Sequence, residues 1–105
     1  MKKIINIGKW KVSKELFDKY IKFSMLADGY LSGTIKTPSE ELGINRGEDY
    51  VKYERNMRWQ TCVKIIMETH IEICEKIGVK YTSDNTDEFY QAFHDEVRKQ
   101  TRLKG

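Results

Sequence analysis

No run of eighteen apolar residues occurs in this 105-residue chain, so no segment reads as a membrane span. MKKIINIGKW starts basic, but its apolar run is too short for the h-region of a secretory leader. Cysteine is scarce. Cys62 and Cys74 lie twelve residues apart on one expected helix, a rise of roughly 18 Å, beyond disulfide reach. They read as reduced core residues of a cytoplasmic protein. Pro38 is the only proline, and neither proline nor glycine falls between Glu48 and Ile77. There is no internal repeat, no low-complexity segment and no catalytic motif. Net charge is only +3, too little to imply nucleic-acid binding by itself.

Aromatics are 11% of residues, apolar residues 39% and charged residues 33%, which predicts one domain with a small, aromatic-rich core. The charge is unevenly spread. Residues 1–22 hold seven lysines against Glu15 and Asp18, residues 81–96 hold five acids and no Lys or Arg, and the tail carries Arg98, Lys99, Arg102 and Lys104. The plainest reading is that the acidic stretch offsets the basic start. A surface for an acidic partner is the alternative.

Lys3–Ile7 reads as a short strand or extended arm within a basic segment 1–12. Ser13 is a candidate N-cap, after which Leu16, Phe17, Tyr20, Phe23 and Ala27 recur at helical spacing until Asp28-Gly29. Tyr30–Pro38 reads as loop, with Gly33 supplying a positive φ. Thr37 or Ser39, with Pro38, opens a short helical turn that Gly43 closes. A long helix follows, with Asn45 as N-cap, Glu48 completing a capping box and Gly78 as the stop. Asp84 or Thr86 caps a final helix with Phe89, Tyr90, Phe93 and Val97 inward. The tail 98–105 is expected to fray or dock elsewhere.

The expected fold is therefore mainly α: a small bundle of three helices plus a short helical turn, spanning 1–105 as a single domain. Pairing of Lys3–Ile7 with Thr34–Lys36 or with Val79–Thr82 would make it α+β. The 31 residues from Gly47 to Ile77 would span roughly 46 Å, against a diameter of roughly 33 Å for a domain of this size. The helix must then break, protrude or pack against a second copy, so a homo-oligomer is expected.

Several constellations invite a chemical reading. Cys62, Ile66, His70 and Cys74 recur every four residues, and His70 with Cys74 could share a metal. Only His94 remains as a third ligand, so core packing is the simpler reading and no metal site is assigned. Glu68, Glu72 and Glu75 form an acidic stripe of the type that holds Mg²⁺ in helical nucleotide hydrolases, but they read equally as a solvated face. Thr37–Arg58 has the outline of a helix-turn-helix, spoiled by Asp49 at a position usually apolar. GYLSGT from Gly29 to Thr34 has glycines and hydroxyls suited to a phosphate but no following lysine.

The strongest candidate is the first half of the long helix. Lys52, Arg55, Asn56 and Trp59 share one face by spacing, and Tyr50, Tyr53 and Met57 share another. These residue types recur in binding hot spots, and they also stack bases and hold phosphates. The candidate binding residues are Tyr50, Lys52, Tyr53, Arg55, Asn56, Arg58 and Trp59. Internal pairing of Arg55 and Arg58 with nearby acids, with Trp59 in the core, is the structural counter-reading. The character is that of small proteins encoded by phages and plasmids: short, charged and aromatic-rich. The expectation is a non-enzymatic, cytoplasmic protein without a cofactor that inhibits or modulates a partner protein. The first alternative is a nucleotide- or nucleic-acid-binding protein using the same face. The second is a Mg²⁺-dependent nucleotide hydrolase.

Overall fold

The computed structural model describes residues 3–104. Its elements are β1 (Ile4–Ile7), β2 (Trp10–Ser13), α1 (Lys14–Ser32), α2 (Pro38–Glu41), α3 (Glu48–Ile77) and α4 (Glu88–Lys104). The protein is mainly α with one antiparallel strand pair, as expected. The strand at Ile4–Ile7 pairs with neither expected partner. It folds back on Trp10–Ser13, in register Ile4 to Ser13 and Ile7 to Trp10. The reason is local: Gly8 sits at the first position of a two-residue turn with φ of 58°, the requirement of a tight hairpin.

The chain divides into two compact units: residues up to Ile21 with those from Met67 onward, and Lys22–Ile66. They are called the terminal and central units below; α1 and α3 each contribute residues to both.

The terminal unit holds the larger core. Ile7 and Val12 of the hairpin, Phe17, Tyr20 and Ile21 of α1, Ile73 and Cys74 of α3, and Phe89 and Phe93 of α4 are all buried. Its aromatic rings pack edge-on: Trp10 with Phe89 at 5.1 Å, Phe17 with Phe93 at 5.6 Å and Tyr20 with Phe93 at 4.8 Å. Such pairs add to the area term because ring edges and faces carry opposite partial charge. The expected inner face of the last helix is thus correct at Phe89 and Phe93. Its cap is neither Asp84 nor Thr86 but Asp87, whose carboxylate accepts the Tyr90 N–H at 2.9 Å. Asp84 instead closes the preceding turn by accepting from the Thr86 N–H at 2.9 Å. The tail does not fray within the described residues: α4 continues to Lys104. Met1, Lys2 and Gly105, the ends of the expected basic arm and tail, lie outside the described residues.

At the end of α3, Gly78 takes φ of 76°. The Gly78 N–H donates to Glu75 O at 3.3 Å and the Val79 N–H to Cys74 O at 3.0 Å. That double bond pattern satisfies carbonyls the last turn leaves open. The helix is unbroken over its 30 residues, so breakage, one of the three expected outcomes of its length, does not occur.

The central unit is built differently. Among its apolar side chains only Ala27 and Cys62 are fully buried; Leu26, Ile35, Trp59 and Ile66 are half-buried. α1 runs on past its expected end at Ala27. Gly29, which looked like a terminator and like half of a phosphate loop, is a buried helical residue. A Cβ there would lie 2.2 Å from Ile35 Cδ1 and 2.4 Å from its Cγ1. The glycine therefore makes room for Ile35. Gly29→Ala removes about 1 kcal/mol of helix penalty but overpacks this contact at a cost of about 1–3 kcal/mol. A net loss of stability is expected, seen as a lower urea midpoint; a higher midpoint would mean Ile35 moves aside freely.

Candidate functional site

The site is assembled on the central unit around the first half of α3. Two neighbouring residues of that helix, Glu54 and Arg55, reach back along the chain. Thr37 caps α2 reciprocally: its Oγ1 accepts the Glu40 N–H at 3.3 Å, and its own N–H donates to Glu40 Oε1 at 3.0 Å. Ser39, buried one residue into α2, donates its N–H and hydroxyl to the Glu54 carboxylate at 3.1 and 3.0 Å. The Thr37 hydroxyl, ahead of the two Ser39 donors, holds the Glu54 carboxyl below the usual carboxylate range.

Arg55 does more. Its Nη1 donates to Tyr30 O at 3.0 Å and to Ile35 O at 2.9 Å, while Nη2 pairs with Glu40 Oε1 at 2.5 Å. Tyr30 O belongs to the last turn of α1, where carbonyls lack helical partners. A planar guanidinium serves two carbonyls and a carboxylate at once, which a point-like ammonium cannot. The Thr37 N–H first, then its hydroxyl and Arg55, hold the Glu40 carboxyl below its ordinary value. Arg55 is therefore engaged within its own unit, with Glu40 as its acid. Trp59, one turn further, is half-buried on the same side.

The start of α3 also departs from expectation. Asn45 is not the N-cap; its side chain accepts the Gly47 N–H at 3.2 Å in a turn. Gly47, at φ of 89°, precedes the first helical residue, and its carbonyl accepts the Val51 N–H at 3.2 Å. This glycine-led entry opens a cleft of about 420 Å³ between Ile44, Arg46, Gly47, Glu48, Val51 and Lys52. Ile44 and Val51 give it an aliphatic lining, and Arg46, Glu48 and Lys52 bring charge to it.

The opposite side of α3 faces solvent. Tyr50, Tyr53 and Met57, on successive turns, are 37%, 61% and 44% exposed. Tyr50 and Tyr53 lie 6.3 Å apart, and the Arg46 guanidinium sits 5.0 Å over the Tyr50 ring. Lys52, Asn56 and Arg58 are exposed as well. Met25, Leu31, Leu42 and Ile44 of the same unit are exposed as well.

The candidate residues thus separate. Arg55 and Trp59 are turned into the unit, while Tyr50, Tyr53, Lys52, Asn56 and Arg58 remain accessible. Sequence reasoning missed Arg46, Leu42, Ile44 and Val51. The apolar residues in LGINR stand in a loop without period, and a loop leucine or isoleucine that is not in the core is itself the usable signal.

The other candidates are not assembled into sites. Glu68, Glu72 and Glu75 are exposed, and among the described residues no group of three His, Cys, Asp or Glu side chains is placed to hold a metal ion. Burial raises the thiol pKa of both Cys62 and Cys74, which leaves them unreactive at neutral pH. α2 is a single turn of four residues, tied to α3 through Ser39 and Glu40 rather than standing as the first helix of a helix-turn-helix. No described helix is long and apolar enough to cross a membrane. No protein-family model, no curated protein and no solved structure matches this chain.

Proposed function

We propose that this chain is a non-enzymatic binding protein that inhibits or modulates a partner protein by covering one of its surfaces, docking through the outward face of α3. One observation carries the reading. The central unit fully buries only two apolar side chains, yet it leaves Met25, Leu31, Leu42, Ile44, Tyr50, Tyr53 and Met57 exposed. Folded proteins tolerate single exposed apolar residues, but their concentration in one small unit marks interaction surfaces. Tyrosine and methionine, with Arg46 stacked over Tyr50, have the composition of a hot spot.

The test is a photo-crosslinker, p-benzoylphenylalanine, placed at Tyr53 in cells that express the chain. A discrete adduct with one other polypeptide, absent when the crosslinker replaces Lys36, is expected. An adduct with a second copy would assign the face to self-association, and no adduct would sink the reading. Replacing Tyr50, Tyr53 and Met57 together by serine should abolish the adduct while changing stability by no more than about 0.5 kcal/mol per site.

The Arg46–Tyr50 stack favours a second reading, in which the face takes a nucleotide base and its phosphate. Fluorescence anisotropy with a single-stranded oligonucleotide separates the two. Binding that falls steeply with salt supports it, and no binding at low salt removes it.

A further inference from the structure

Both histidines of the chain sit in the aromatic cluster of the terminal unit. His70, on α3, is 5% exposed. Its ring stacks on Phe93 at 4.7 Å and meets Tyr81 at 5.1 Å, His94 at 5.8 Å and Tyr20 at 5.9 Å. His94, on α4, lies 4.2 Å from Tyr90. Its Nε2 is buried and has no hydrogen-bond partner among the described residues.

The groups around this pair are mostly uncharged. α1 contributes Tyr20, whose hydroxyl burial pushes up to about 12, so it supplies no counter-charge. The segment before α4 contributes Tyr81, and its Asp87 acts on Cys74 of α3. From the hairpin, Trp10 packs on Phe89, and Lys9 pairs with Glu88 at the exposed edge, 3.9 Å apart. α4 itself contributes Tyr90, Asp95 and Arg98, of which Asp95 is already paired with Arg98. Neither imidazole forms an ion pair among the described residues.

We propose that the His70–His94 pair is an acid-sensitive latch: below neutral pH, protonation of these imidazoles loosens α4 from the Met67–Ile77 part of α3 and exposes Phe89 and Phe93. An imidazolium carries two N–H donors, and the cluster offers the buried Nε2 of His94 no acceptor. A buried charge without a partner destabilises whatever encloses it. Burial first, and the neighbouring His94 second, push His70 from 6.5 down to about 4. Burial first, then Arg98, also lower His94, with Asp95 opposing.

Histidine in the unfolded chain protonates near 6.5, before the folded form does. The stabilisation is complete above that pH and is lost as pH falls from there toward about 4. Each histidine lowers the folding constant by up to about tenfold per pH unit across its window. Glu40, Glu54 and Asp84 are all held below their ordinary carboxylate values, so their own losses begin at lower pH.

Hydrogen exchange of the intact chain at about pH 7.5 and about pH 5, corrected for intrinsic rates, tests this. Wild type should lose at least tenfold protection along α4, with amides of Lys22–Ile66 unchanged. The His70→Phe/His94→Phe variant keeps ring packing without titration and should lose none. Equal loss in both proteins, or none in wild type, overturns the latch. Should the variant fail to fold, NMR titration of the wild-type imidazoles decides: His70 protonating well below 6.5 while α4 protection falls supports it, and His70 protonating at or above about 6.5 overturns it.

Discussion

Arg55→Ala is expected to lower the stability of the central unit by about 2–3 kcal/mol, a large effect for one side chain on the face first singled out for binding. The figure rests on the two backbone carbonyls alone. Hydrogen bonds from a charged donor contribute about 1.5–3 kcal/mol each, discounted here because the Arg55 side chain is 21% exposed and water replaces part of what is lost. Removing the guanidinium leaves Tyr30 O and Ile35 O without their donor, and Glu40 loses its cation. Arg55→Lys should recover less than half, since an ammonium cannot bridge three acceptors in fixed geometry. The measurement is urea denaturation followed by Trp59 fluorescence in a Trp10→Phe background. A midpoint unchanged by Arg55→Ala would mean the network contributes nothing, and the guanidinium would again be a candidate for a partner.

Phe93→Ala should cost about 3–5 kcal/mol, the range for truncating a large buried aromatic. Phe93 is fully buried and its ring meets Phe17, Tyr20, His70, Phe89 and His94 at 4.7–5.7 Å. The void would open at the crossing of α1, α3 and α4, where neighbours are rings that cannot collapse without losing edge-to-face geometry. Phe93→Leu should cost distinctly less, because most of the volume remains. Trp10 fluorescence reports this unit through its contact with Phe89. A cost below about 1 kcal/mol for Phe93→Ala would contradict the account of the core.

What was legible in the sequence is what has a period or a local signature. The apolar spacing of Phe17 and Tyr20, and of Phe89 and Phe93, placed two helices and their buried faces. Ser13, Gly43 and Gly78 marked ends through chemistry that acts within a few residues. His70, Cys62 and Cys74 were correctly read as core. The failures share a cause in groups distant in sequence or silent in it. Asp28-Gly29 looked like a helix end because nothing local says that Ile35 needs the space of a missing Cβ. Trp10–Ser13 is too short for its alternation to stand out, so the strand partner was sought too far away. Arg55 finds its partners 15 to 25 residues earlier, and two of them are backbone carbonyls, which carry no residue identity. Spacing grouped Arg55 and Trp59 with Lys52 and Asn56, yet only the network at Tyr30, Ile35 and Glu40 decides which of them turn inward.

The first half of α3 has two sides: one ties the central unit together through Glu54 and Arg55, and the other leaves Tyr50, Tyr53 and Met57 exposed. The most direct test compares urea midpoints of Arg55→Ala and of the triple serine variant at Tyr50, Tyr53 and Met57, both read by Trp59 in the Trp10→Phe background. A drop of about 2–3 kcal/mol is expected for the first and a much smaller change for the second. The reverse order, with the triple variant unfolding and Arg55→Ala unaffected, would contradict this division of α3.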